Sequence, residues 1–225
     1  MTPQVHTFAH RALWLLPVWA ALLFLSTLTH QPDPQTAFAD FSDYVTTNVF
    51  LVSHLVGSIA GAAIGSIGVV GLLLYLQESK AARRLITGMA ATVAGNTLLT
   101  AVFGVAAFAQ PAMGRMFIAG EQNAIDFYNE VYAAPLFATA ILGLLLFLIG
   151  GALSGMAIAA SGRFPRWLGW AYAVATAGFV VSFIVWPVGM SVFSGLFIVA
   201  TAVLAWSAAR EGQRQYASAA VAPES

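Results

Sequence analysis

Apolar residues run along this chain in six blocks, at 12–29, 47–76, 85–109, 134–160, 167–186 and 190–209, and no block contains Asp, Glu, Lys or Arg. A helix needs about 20 such residues to cross the hydrocarbon layer of a bilayer. The pattern therefore predicts an all-α fold, a polytopic bundle of six transmembrane helices. The connections fall at 30–46, 77–84, 110–133 and 161–166, with a very short one at Trp186-Pro187-Val188-Gly189. Proline lacks an N–H and restricts the residue before it, so the last two helices form a tight hairpin. Residues 1–209 make one transmembrane domain, and 210–225 read as a polar, disordered cytoplasmic tail. The first block also has the outline of a signal peptide, with Arg11 ahead of it and Ala37-Phe38-Ala39 as a cleavage site. The polar gap between them is long for that purpose, so the block is kept as a helix.

Within the second block, glycine recurs at Gly57, Gly61, Gly65, Gly68 and Gly71. At about 100° per residue these five share roughly one third of the helix circumference. Such a stripe lets another backbone approach closely, which is what drives helix association in lipid. It predicts packing within the bundle, self-association into a homo-oligomer, or a groove for a flat ligand. Gly88, Thr92, Asn96 and Thr100 form a shorter line on the third block, and Gly143, Gly150, Ser154 and Ala157 another on the fourth.

Charge orients the bundle. Arg11, Lys80, Arg83, Arg84, Arg163, Arg166, Arg210 and Arg214 share one side if both termini do, and Arg115 alone falls opposite. The positive-inside rule then predicts cytoplasmic N- and C-termini and a multi-pass protein of the inner (plasma) membrane. Asp33, Asp40, Asp43, Glu121, Asp126 and Glu130 make the other side acidic. There GEQNAIDFYNEVYAAP reads as a short surface helix with Ile125, Tyr128 and Tyr132 turned toward the membrane. Asp40, Phe41, Asp43 and Tyr44 offer a second such stretch.

Composition agrees with the pattern. The 225 residues are 60% hydrophobic and 8% charged, where a soluble domain has about 25% charged residues. The nine basic residues are scattered and the net charge is zero, which excludes nucleic acid as a partner. Cysteine is absent, which excludes disulfides, thiol catalysis and iron–sulfur clusters. The lipid bilayer is the expected partner, with a membrane protein or a second copy as further ones.

Candidate chemistry is sparse. His54 falls inside the glycine stripe on the same helical wheel, which turns it toward protein. His30 ends the first block at a similar depth, and together the two are candidate haem or metal ligands. The bland alternative is a boundary histidine bonded to a nearby carbonyl or hydroxyl, and no cofactor is expected. Asn96 is the deepest strongly polar group, so its amide needs partners. Thr92, Asn96 and Thr100 either bind helices together or border a solute path. Proton-coupled pumping, intramembrane proteolysis and serine hydrolysis lack the charged or paired groups they need.

The loop Gly162-Arg163-Phe164-Pro165-Arg166-Trp167-Leu168-Gly169-Trp170 resembles one that recurs in uncharacterised six-helix bacterial integral membrane proteins of unknown function. The resemblance covers residues 145–185 and implies the fold but no activity. Two function classes stay open. One is a non-enzymatic accessory, scaffold or sensor component that binds partners or lipid. The other is a small permease or channel for a neutral or weakly polar solute, with His54 and Asn96 near its path. A haem- or pigment-binding protein ranks below both. The first class is preferred because no strongly polar lining is visible. A water-accessible cavity reaching Asn96 would favour the second.

Overall fold

The computed structural model describes residues 2–29 and 31–221, with Pro3, Pro187 and 213–221 as backbone only. It is all helical among the described residues. In order these are α1 (Pro3–Leu13), α2 (Leu15–Ser26), α3 (Phe38–Val45), α4 (Asn48–Val52), a π-helical segment (Ser53–Ala60), α5 (Gly61–Leu76), α6 (Ala82–Ile118), α7 (Ala124–Val131), α8 (Ala134–Ala160), α9 (Arg166–Val185) and α10 (Pro187–Val221). Six stretches are long and apolar enough to cross a membrane: Gln4–Ser26, Asn48–Leu76, Ala82–Ile118, Ala134–Ala160, Arg166–Val185 and Val188–Gly212. They are spans 1 to 6 of a multi-pass membrane protein.

Local chemistry sets several helix ends. The Thr47 hydroxyl accepts from the Phe50 amide and starts α4. Gly120 and Gly162 close α6 and α8 at φ 82° and 71°, a region that favours glycine. Helix α9 ends at Val185, and Pro187 opens α10 where its missing N–H costs nothing.

The spans form a closed ring. Each packs on its neighbours in sequence, and span 6 returns to span 1. Small residues make the close crossings. Between spans 1 and 2 the glycine stripe lies on the first helix pair: Gly57 and Gly61 face Ser26 and Leu22, Gly65 faces the ring of Trp19, Gly68 faces Leu16 and Gly71 faces Ala12. Gly88 and Gly95 abut Gly150, Ser154 and the backbone at Gly143 and Phe147 between spans 3 and 4. Thr92 belongs to this same crossing, where its hydroxyl is directed at Gly150. Inside the ring, Trp19 meets Phe147 and Phe197 edge-on with ring centroids 5.6 and 5.4 Å apart, and Phe197 meets Tyr172 at 4.9 Å. These rings close the half of the bundle nearer the chain termini.

A small second core caps the opposite end. Helices α3 and α7 cover the last turns of α6, burying Phe38, Phe41, Val45, Phe50, Met113 and Tyr128 together. This packing explains a departure from the sequence-based boundaries. The apolar pattern ends span 3 before Pro111, yet α6 runs through it to Ile118. Gly114 seats directly against the Ser42 carbonyl and Val45 of α3, which holds the extra turns in place. The surface helix is also rotated from expectation. Tyr128 is buried and stacks on Tyr132 at 4.5 Å, whereas Ile125 is exposed. Burial pushes both phenols above their usual range, so the cap gains no charge from them.

Helix α10 continues past residue 209, where the composition predicts a polar tail, to Val221. Glu211 ties the start of this extension to the bundle, since it accepts from Arg163 at 2.9 Å and from the Tyr75 hydroxyl at 2.7 Å.

Candidate functional site

The π-helical segment decides where the polar groups of span 2 point. In an α-helix the Phe50 carbonyl would accept from the His54 amide. Here the Ser53 hydroxyl and the His54 ring both reach that carbonyl, at 2.8 and 3.0 Å. Side chains that compete for a helix carbonyl loosen the regular ladder. A π turn also takes more residues than an α turn, so it rotates the residues beyond it. His54 therefore leaves the glycine line. Gly57 faces Ser26, while His54 packs between Phe50 and Phe103 with ring centroids 4.2 and 6.4 Å away. Its hydrogen-bond partners lie on its own helix rather than on a neighbouring one.

His54 lines a cavity of about 360 Å³ inside the ring. The floor is Trp19 and Phe147, the rings that close the terminal half. Asn96 reaches the cavity from span 3, and Ala140, Leu144 and Phe179 wall it from spans 4 and 5. Gln31 and Tyr44, the latter from α3, line its end nearer the second core. The lining is mostly apolar and aromatic with a few placed polar groups, the usual make-up of a small-molecule site.

Asn96 is 4% exposed and held firmly. Its amide nitrogen donates to the Ala62 carbonyl and to the Ser66 hydroxyl, both at 3.2 Å, while Ser66 donates to the same carbonyl at 2.9 Å. The amide thus ties span 3 to span 2 and also presents itself to the cavity. Thr92 and Thr100 do not join it. Thr92 is buried between spans 3 and 4 with its hydroxyl unpartnered, and Thr100 lies outside the lining. Residues four apart drift around a helix, which separates Asn96 from both. His30, the other member of the expected haem or metal pair, lies outside the described residues.

A shallower apolar groove of about 400 Å³ runs between spans 1 and 2 on the lipid side. Leu25, Val49, Val52 and Val56 flank it and are exposed. Ser26, Thr29 and Ser53 line both this groove and the central cavity. Sequence reasoning missed the π turn beside this shared wall, because such a turn leaves no periodic signature. Only the paired Ser53-His54 after Phe50 hinted at it.

At the terminal end His6, His10, Tyr75, Glu78, Arg163 and Glu211 surround a hollow of about 170 Å³. The two histidine Nε2 atoms are 3.2 Å apart, and His10 meets Tyr75 edge-on at 5.2 Å. Arg163, Glu211 and Tyr75 form a latch that joins the loop between spans 4 and 5 to spans 2 and 6. No cluster of three metal-ligating side chains occurs among the described residues. Compared with protein-family models, curated proteins and solved structures, the chain matches none.

Proposed function

We propose that this membrane protein binds a small, mostly apolar molecule in its central cavity and belongs to the permease class rather than to accessory subunits. The observation that carries the reading is the cavity that reaches both His54 and Asn96 inside the ring. A scaffold has no use for such a space, since an unfilled cavity forfeits packing contacts. In this reading the molecule enters either from the end of the cavity near Gln31 or through the wall of Ser26, Thr29 and Ser53 that the cavity shares with the apolar groove. Passage to the terminal side requires the Trp19–Phe147 floor to yield, whereas binding does not.

A neutral fluorophore that brightens in apolar surroundings, N-phenyl-1-naphthylamine, tests the reading. Purified protein in nanodiscs is expected to bind it saturably at one site per chain. Linear partitioning, indistinguishable from that into protein-free nanodiscs, would count against the cavity as a binding site.

The basic residues support termini in the cytoplasm and, with them, a place in the inner membrane of a bacterial cell. The end of the cavity near Gln31 then faces outward. Reporter fusions at Gln77 and Ser161 should read cytoplasmic and one at Gln122 external; the opposite pattern would reverse the direction assigned to the cavity.

A further inference from the structure

We infer that the molecule taken by the central cavity carries a hydrogen-bond donor, a hydroxyl or N–H group, at its polar end. This rests on the cavity being a ligand site, and the reason lies in which protons are already committed. A carbonyl oxygen can only accept. His54 Nδ1 lies 3.0 Å from the Phe50 carbonyl and 3.3 Å from the Ser53 hydroxyl, and because Ser53 donates to that same carbonyl, we assign the ring hydrogen to Nδ1. In the neutral ring that leaves Nε2 as an acceptor, and it has no partner among the described residues.

Asn96 arrives at the same state by a separate route. Its nitrogen is fixed by the Ala62 carbonyl, so the amide cannot be turned the other way. Ser66 gives its proton to that carbonyl and accepts from Asn96. The amide nitrogen is thus turned to this pair of acceptors, and Oδ1 is left as an acceptor with no side-chain or backbone partner among the described residues, on a residue that is 4% exposed. Three of the other hydroxyls in the lining have their protons committed to backbone carbonyls. Ser26 donates to Leu23, Thr27 to Phe24 and Ser53 to Phe50, all at 2.7–2.8 Å.

The cavity thus presents two unpaired acceptors in an apolar, aromatic enclosure. A donor group on the ligand satisfies one of them. An ether, ketone or plain hydrocarbon seals them from water with no partner, and a buried polar group left unpaired is costly. A hydroxyl also offers its oxygen to the donors left in the lining, the Ser58 hydroxyl and the Trp19 indole. Alcohols and phenols fit best.

Two compounds of nearly the same shape separate the possibilities: 4-phenylphenol and 4-methoxybiphenyl, which lacks the donor. Their binding to the full chain in nanodiscs is measured by displacement of N-phenyl-1-naphthylamine, corrected for partition into protein-free nanodiscs. The phenol is expected to bind about tenfold more tightly, the scale of one hydrogen bond to a buried partner. In His54→Phe that preference should fall at least by half. Asn96→Leu also removes two bonds between spans 2 and 3, so His54→Phe, which leaves them intact, carries the comparison. Equal displacement by both compounds would overturn the donor requirement while leaving the cavity a binding site. An undiminished preference in His54→Phe would overturn the role of Nε2. If neither compound nor the fluorophore binds saturably, the ligand reading falls and this inference falls with it.

Discussion

Replacing Gly65 with leucine is expected to destabilise the protein more than a substitution at any other glycine of the stripe. A Cβ at this position would fall inside the ring of Trp19, against Cγ, Cδ2 and Cε2. Any shift of the indole breaks its packing against two other spans. It is 2% exposed and held edge-on by Phe147 from span 4 and Phe197 from span 6. Overpacking of a tight interior costs about 1–3 kcal/mol, and a rigid aromatic obstacle sets Gly65→Leu at the upper end. Gly61 makes the contrast. A Cβ there would meet Leu22 at 3.5 Å, an ordinary van der Waals distance. Gly61→Ala should therefore be close to neutral, whereas Gly65→Ala already shifts the indole. Thermal unfolding in detergent measures both. Equal unfolding temperatures for Gly65→Ala, Gly61→Ala and the parent protein would show that the stripe does not seat span 1.

The second large effect is expected from filling the cavity. Ala140 lines it from span 4, in the same cavity as His54 and Asn96. A phenylalanine at 140 places a ring in the empty space without touching the glycine crossings. Ala140→Phe is expected to weaken binding of N-phenyl-1-naphthylamine by more than about tenfold. It should at the same time hold or raise the unfolding temperature, since cavity filling commonly adds about 0.5–2 kcal/mol. The two readouts move in opposite directions only if ligand and side chain compete for the same space. Parallel loss of binding and stability would instead point to a disturbed bundle.

Much of the architecture is legible from the chain because the bilayer imposes a length. Six apolar blocks near 20 residues or longer allow few alternatives, and the Trp186-Pro187 break locates the last hairpin to the residue. The glycine stripe is legible for the same reason, since one face of a regular helix keeps its phase. The phase argument fails where the helix stops being regular. Uniform α geometry sets His54 beside Gly57, and the π turn over Ser53–Ala60 puts the two on different faces. Asn96 stands out as a deep polar group, yet nothing in the sequence separates it from Thr92. What separates them is which neighbour lies opposite: Gly150 closes on Thr92, whereas the ring stays open in front of Asn96. A cavity is a relation among side chains from all six spans, and no single stretch encodes it. Likewise, the length of α6 beyond Pro111 depends on α3 packing against Gly114, a contact between segments about 70 residues apart.

Native mass spectrometry of the protein released from its own membrane tests the cavity most directly. If the cavity is a ligand site, the parent protein should carry a non-covalent adduct of one small molecule per chain, released on activation and containing at least one hydroxyl or N–H group. The Ala140→Phe variant, purified alongside, should lack that mass while keeping its annular lipids. An identical adduct pattern in both proteins, or none beyond ordinary phospholipid, would contradict a central ligand site.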